Sequence, residues 1–199
     1  MTRPAPGVTG LVLAAGRGSR MGRPKALVTD ASGEPWTAVA AGALLAGGCA
    51  EVVVVLGASA PEASGLLGPR ASVTLVTAPD WAAGLSASLR AGLEALAERP
   101  ATEAVLVTTV DTPDLPVAAV ERVLDVAGPL AGVLRRAVHD GRPGHPVLIG
   151  RGHWSALGAS LAGDEGAGRY LREHGAEPVE CGDLWDGHDQ DVPGPVASS

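Results

Sequence analysis

Residues 8–27 read VTGLVLAAGRGSRMGRPKAL: an unbroken apolar run through residue 15, then Gly16, Gly18 and Gly22 interleaved with Arg20, Arg23 and Lys25. An apolar run that stops at glycine predicts a strand buried on both faces, the kind found inside a parallel sheet. Similar short runs follow at 52–56 (VVVVL), 73–76 and 105–110, each bounded by turn residues. The intervals carry helical patterns: Val39, Ala43, Leu44 and Gly47 share one face, and Leu85, Leu89, Leu93 and Leu96 share another, with Arg90 and Glu94 paired on its outside. The β-α-β-α-β-α-β rhythm predicts an α/β fold with a doubly wound, mostly parallel sheet.

After Asp111 the rhythm changes. The pattern predicts a helix over 116–126, a strand over 132–138, a loop over 141–150 (GRPGHPVLIG), helices through Trp154 and Leu161 and over 166–174, and a short strand over 178–181. This half reads as a cover over the sheet. The first few residues and 192–199 read as loose tails.

The 199 residues fit one domain, 1–199, with a nucleotide-binding half near 8–115 and an acceptor-binding half near 116–193. Phe is absent and aromatics are limited to four Trp and one Tyr, so the core is built from Ala, Val and Leu, and stacking platforms for nucleic acid are not expected. A net charge of −7 has the wrong sign for neutralising a phosphate backbone. Cys49 and Cys181 are far apart and suggest neither a disulfide scaffold nor a zinc site. With no apolar signal region in residues 1–7 and only strand-sized apolar stretches, a cytoplasmic protein without a membrane role is expected.

The glycine loop leaves its strand at the carboxyl end, where open α/β sheets bind ligands. Glycines allow close backbone approach, successive N–H groups form an anion-binding concavity, and the cations add charge, so the loop reads as a triphosphate cradle rather than a turn with solvated arginines. The dinucleotide fingerprint fails, because Met21 stands where its third glycine belongs and no acidic residue closes the second strand at Leu56 and Gly57.

The stretch LAAGRGSRMGRPKAL resembles the signature of the MobA-like nucleotidyltransferase superfamily, L-A-(A or G)-G-x-(G or S)-x-R-M-G-x-x-K. Its Ala14–Ala15 form is similar to the molybdenum cofactor cytidylyltransferase branch. Later segments resemble further family motifs: GLSASLRAGL (84–93), VDTPDL (110–115), GRPGHPVL (141–148), GDEGAG (163–168) and DQDVP (189–193). The resemblance implies a nucleotide-diphospho-sugar transferase-like fold with a Rossmann-like nucleotide-binding half. It also implies transfer of a nucleoside monophosphate from an NTP, here CTP, to molybdopterin or a related phosphorylated acceptor, with Mg²⁺ as cofactor and pyrophosphate released. A molybdenum hydroxylase receiving the product is an implied partner.

Carried over position by position, the resemblance implies that Leu13, Ala14, Ala15, Gly16, Gly18, Arg20, Lys25, Ser86 and Ser88 bind the nucleotide. Lys25, Arg20 and Asp111 are the implied catalytic group. Arg142, Gly144, His145 and Asp164 are the implied acceptor contacts. Asp111 and Asp191 are the implied metal ligands, with Asp189 a further candidate. Plainer readings stand beside these: Asp111 as a helix N-cap, Ser86 and Ser88 as caps, His145 as a structural histidine, and Asp164, Asp189 and Asp191 as turn residues. The chain also departs from the family pattern. Gly168 replaces the expected arginine, with Arg169 one residue later, and VTDASGEPW (28–36) lengthens the segment after the first turn. Two other readings remain open: an NAD(P)H-dependent enzyme like the actinobacterial nicotine blue oxidoreductases, whose GRPGHPVLIGRGHW style this chain shares, and a non-catalytic nucleotide sensor.

Overall fold

The computed structural model describes residues 5–19 and 21–190. The parallel half runs β1 (Val8–Ala14), α1 (Trp36–Ala46), β2 (Glu51–Leu56), α2 (Ala60–Leu67), β3 (Val73–Thr77), α3 (Leu85–Ala97) and β4 (Ala104–Thr109). It continues through α4 (Val117–Leu124), β5 (Leu134–His139), β6 (Arg142–Gly150), α5 (Trp154–Ser160), α6 (Gly168–Glu173) and β7 (Glu177–Glu180). The described strands form one seven-stranded sheet in the order β3-β2-β1-β4-β6-β5-β7. It is doubly wound and mostly parallel, and only β6 runs antiparallel to its neighbours β4 and β5.

Alternation along the inner strands explains their unbroken apolar sequences. Val12 and Ala14 of β1 face a core shared with α1, α2 and α4, whereas Leu11 and Leu13 face a second core shared with α3, α5 and α6. Both faces are dry, so nearly every position is apolar, and the buried Thr9 and Thr108 hydroxyls contact those of Thr102 and Thr112. The edge strands β3 and β7 are short and half wetted, and β7 carries Pro178, features that blunt an exposed edge. Cys49 and Cys181 are buried free thiols, and burial pushes the Cys49 thiol up to about 12. Among the described residues, no helix is long and apolar enough to cross a membrane.

Two expectations are corrected. The expected loop over 141–150 is the nine-residue strand β6, and the second half therefore extends the sheet instead of covering it. Pro143 and Pro146 lack backbone donors, and the β5–β6 register shifts between Arg136 and Val138, which lets the proline-containing half pass while residues 147–150 pair with β4. The expected face of α1 holds only in part: Leu44 and Gly47 are buried, Val39 and Ala43 only partly so, and Thr37, Ala38, Ala40 and Ala41 widen the buried side. With apolar residues all around WTAVAAGALLA, periodicity has no polar face to set its phase.

Leu106 lies fully buried on β4, between β1 and β6. Leu106→Ala is expected to cost about 2–5 kcal/mol, read as a lower denaturation midpoint with an unchanged m-value.

Candidate active site

The carboxyl ends of β1 and β4 open into a cavity of about 590 Å³, floored by Leu13 and Ala15, rimmed by Gly16, Gly18 and Lys25, and walled by Trp81, Ser88, Asp111 and Asp164. That volume suits a nucleotide-sized ligand. Gly18 has φ +63°, and a Cβ there would fall on the Arg23 carbonyl, so the loop doubles back tightly only because this residue is glycine. Gly16 has open space around it.

From the far side of this turn Lys25 reaches across the cavity mouth, its Nζ 2.8 Å from Asp111 Oδ2, with side-chain exposures of 13% and 21%. Asp111 is not a helix cap: the N-cap of α4 is Pro116. It sits instead on the turn leaving β4, which is pinned by the Thr112 hydroxyl donating to the Thr109 carbonyl (2.9 Å) and contacting the Thr108 hydroxyl. Asp111 Oδ1 is buried with no hydrogen-bond partner. The Gln190 N–H donates to the Asp111 carbonyl at 2.7 Å, so the C-terminal segment is tied to the same strand end.

The MobA-like NTP transferase domain matches residues 10–179. This chain belongs to that family. It is 36% identical, over 94% of its own length and 93% of the relative's, to the nicotine blue oxidoreductase of Paenarthrobacter nicotinovorans. Among solved structures it resembles Rv0371c from Mycobacterium tuberculosis, with 26% identity, a TM-score of 0.71 and 89% of each chain covered. A nucleotidyl transferase from Methanothermobacter shares the fold, with 24% identity, a TM-score of 0.72, and 87% of this chain and 86% of that one covered.

Within this MobA-like framework the expected site residues separate. Leu13, Ala15, Gly16, Gly18, Lys25, Ser88, Asp111 and Asp164 meet at the cavity. Ala14 points into the core on the opposite face of the sheet. Ser86 is buried beside the cavity and donates its backbone N–H to Gly163; neither it nor Ser88 caps α3, whose N-cap is Gly84 without a side-chain bond. Arg23 and Asp189 are exposed, while Arg20 and Asp191 lie outside the described residues. Arg169 turns to the Ser160 carbonyl.

The GRPGHP segment also divides. Arg142 is exposed at the start of β6, within electrostatic reach of Asp186. Gly144 lets His139 pack against its backbone, since a Cβ there would lie 2.6 Å from the imidazole. His145 lies within the field of Asp111, so this segment approaches the glycine-loop side of the site. His145 as a residue is half-buried, and burial, followed by the Arg136 cation, pushes its pKa down to about 4, against weaker support from Asp111.

Sequence reasoning missed Trp81, which lines the cavity with the Arg17 guanidinium 5.7 Å from its ring centroid. The available signal was an isolated Trp in the polar stretch before the GLSAS helix start. Trp81 also bears on the failed dinucleotide fingerprint. A Cβ at Gly57, the residue after β2, would lie 2.7 Å from Trp81 Cβ and 2.8 Å from Ala15 Cβ, leaving no room there for an acidic side chain.

Two outcomes are expected. Gly18→Ala strains the loop by about 1–3 kcal/mol and lowers the melting temperature, whereas Gly16→Ala leaves it nearly unchanged. His145 is neutral at pH 7 in the folded chain, and its lowered pKa means that the unfolded state takes up the proton first on acidification. Its contribution to stability is therefore complete above pH 6.5 and declines as pH falls toward 4. His145→Gln should flatten that part of the stability–pH curve measured by denaturation.

Proposed function

We propose that this chain transfers CMP from CTP to molybdopterin or a related phosphorylated acceptor. The supporting observation is the Lys25–Asp111 pair, set between a glycine loop suited to phosphates and a cavity of nucleotide size. In the reaction an acceptor phosphate oxygen bonds to the α-phosphorus of CTP, the bond from that phosphorus to the α–β bridging oxygen breaks, and its electron pair leaves with pyrophosphate. Backbone N–H groups of residues 16–18 face phosphate oxygens, and Lys25 offers its ammonium to the charge that builds on the α-phosphate and leaving group. Asp111 holds Lys25 in place until the nucleotide competes for it.

The residues fit a divalent cation such as Mg²⁺. Asp111 Oδ1 is a buried, unpartnered carboxylate oxygen, a hard donor of the kind Mg²⁺ takes alongside phosphates and waters. The Gln190–Asp111 bond supports Asp191, the next residue in sequence, as the second carboxylate. When bound, the ion would neutralise charge on the phosphates. A molybdenum hydroxylase is the proposed recipient of the product.

The 36% identical relative favours a second reading, an NAD(P)H-dependent oxidoreductase on the same scaffold. The crowding at Gly57 removes the usual ribose-binding carboxylate, which weighs against it.

A thermal-shift comparison separates the two. CTP with Mg²⁺ at a hundred times its Kd should add about 2.7 kcal/mol, more than GTP or NADPH; stabilisation by NADPH with no nucleotide effect overturns the transferase reading. Asp111→Asn is expected to abolish pyrophosphate release at any Mg²⁺ concentration, and full turnover by this variant would remove Asp111 from the mechanism.

A further inference from the structure

Several arginines in this fold have anionic or multiple carbonyl partners: Arg135 pairs with Glu177, Arg122 with Asp183, and Arg151 caps the carbonyls of Ala97, Arg99 and Thr102. Arg136, on the neighbouring position of β5, is different. Its side chain is partly buried, and its Nε donates to the Gly144 carbonyl at 3.2 Å. Its guanidinium lies 3.8 Å from where a Cβ on Gly168 would stand. The exposed Arg172 donates to the Gly168 carbonyl at 3.4 Å. Two cations thus converge on one glycine, and among the described residues neither has a carboxylate partner. Burial and then Arg172 push the Arg136 pKa down, with no anion opposing them.

A half-buried cation beside a like charge is costly to fold around, and such an arrangement is met where an anionic ligand supplies the missing charge. The Arg136 bond to Gly144 places it next to His145, whose ring feels the charges of both Arg136 and Asp111. We propose that Arg136 and Arg172 form a phosphomonoester-binding subsite that anchors the second substrate, with Arg136 as the bidentate donor. This deepens the transferase reading and rests on it for the identity of that substrate. The same chemistry could be presented by an acceptor's phosphate or by the 2′-phosphate of NADPH.

The test uses the intact protein with inorganic phosphate as probe at constant ionic strength, read by thermal shift and calorimetry. Wild type should bind phosphate, Arg136→Gln should weaken it at least tenfold, and Arg172→Gln should weaken it several-fold. In phosphate-free buffer Arg136→Gln should melt at or above wild type, because an uncompensated cation has been removed. CTP with Mg²⁺ should shift both proteins equally. Equal phosphate affinity in wild type and Arg136→Gln overturns the subsite, as does a phosphate-free melting point for the variant several degrees below wild type. Two further arms identify the source. An acceptor site predicts that glycerol phosphate binds wild type in the presence of CTP and loses affinity in Arg136→Gln; a dinucleotide site predicts that NADPH binds more tightly than NADH and that Arg136→Gln erases the difference. If CTP fails to bind while the phosphate response still requires Arg136, the transferase reading falls and the anion subsite stands.

Discussion

The ion pair between Lys25 and Asp111 closes the site, joining the end of β1 to the end of β4 across 86 residues of sequence. Both partners are largely withdrawn from water, so each would be costly to leave alone. The pair lines an open cavity, where a ligand can replace either partner. Around it the backbone is held by devices that do not depend on ligand: the glycine at position 18, the threonine bonds under Asp111, and the β1–β4 ladder itself.

The parallel half was legible in the sequence because burial on both faces removes polar residues from a strand altogether, and that signal survives without tertiary information. Strand β6 was not legible. Its prolines and glycines read as a loop, and only the bulge against β5, a property of two strands together, makes them compatible with a ladder. The phase of α1 was hidden for the opposite reason, since an alanine-rich helix offers no polar side to mark its solvent face. At the site, the glycine loop and Asp111 could be placed from local sequence and resemblance. Trp81 and Arg136 could not, because each matters through neighbours brought together only by folding.

The antiparallel insertion of β6 has a functional consequence for the sheet. After β4 the chain crosses one face as α4 to reach β5, and β6 then returns antiparallel between β5 and β4, carrying His145 back toward Asp111. The two halves of the chain thus meet along one strand end instead of across a layer boundary.

The bond from the Gln190 N–H to the Asp111 carbonyl bears on the order in which the molecule is built. During synthesis the glycine loop and β4 emerge well before Gln190, so the parallel half can acquire its core while this strand end still lacks its last tether. This tether at Asp111 therefore forms only after all seven strands of the described sheet have emerged.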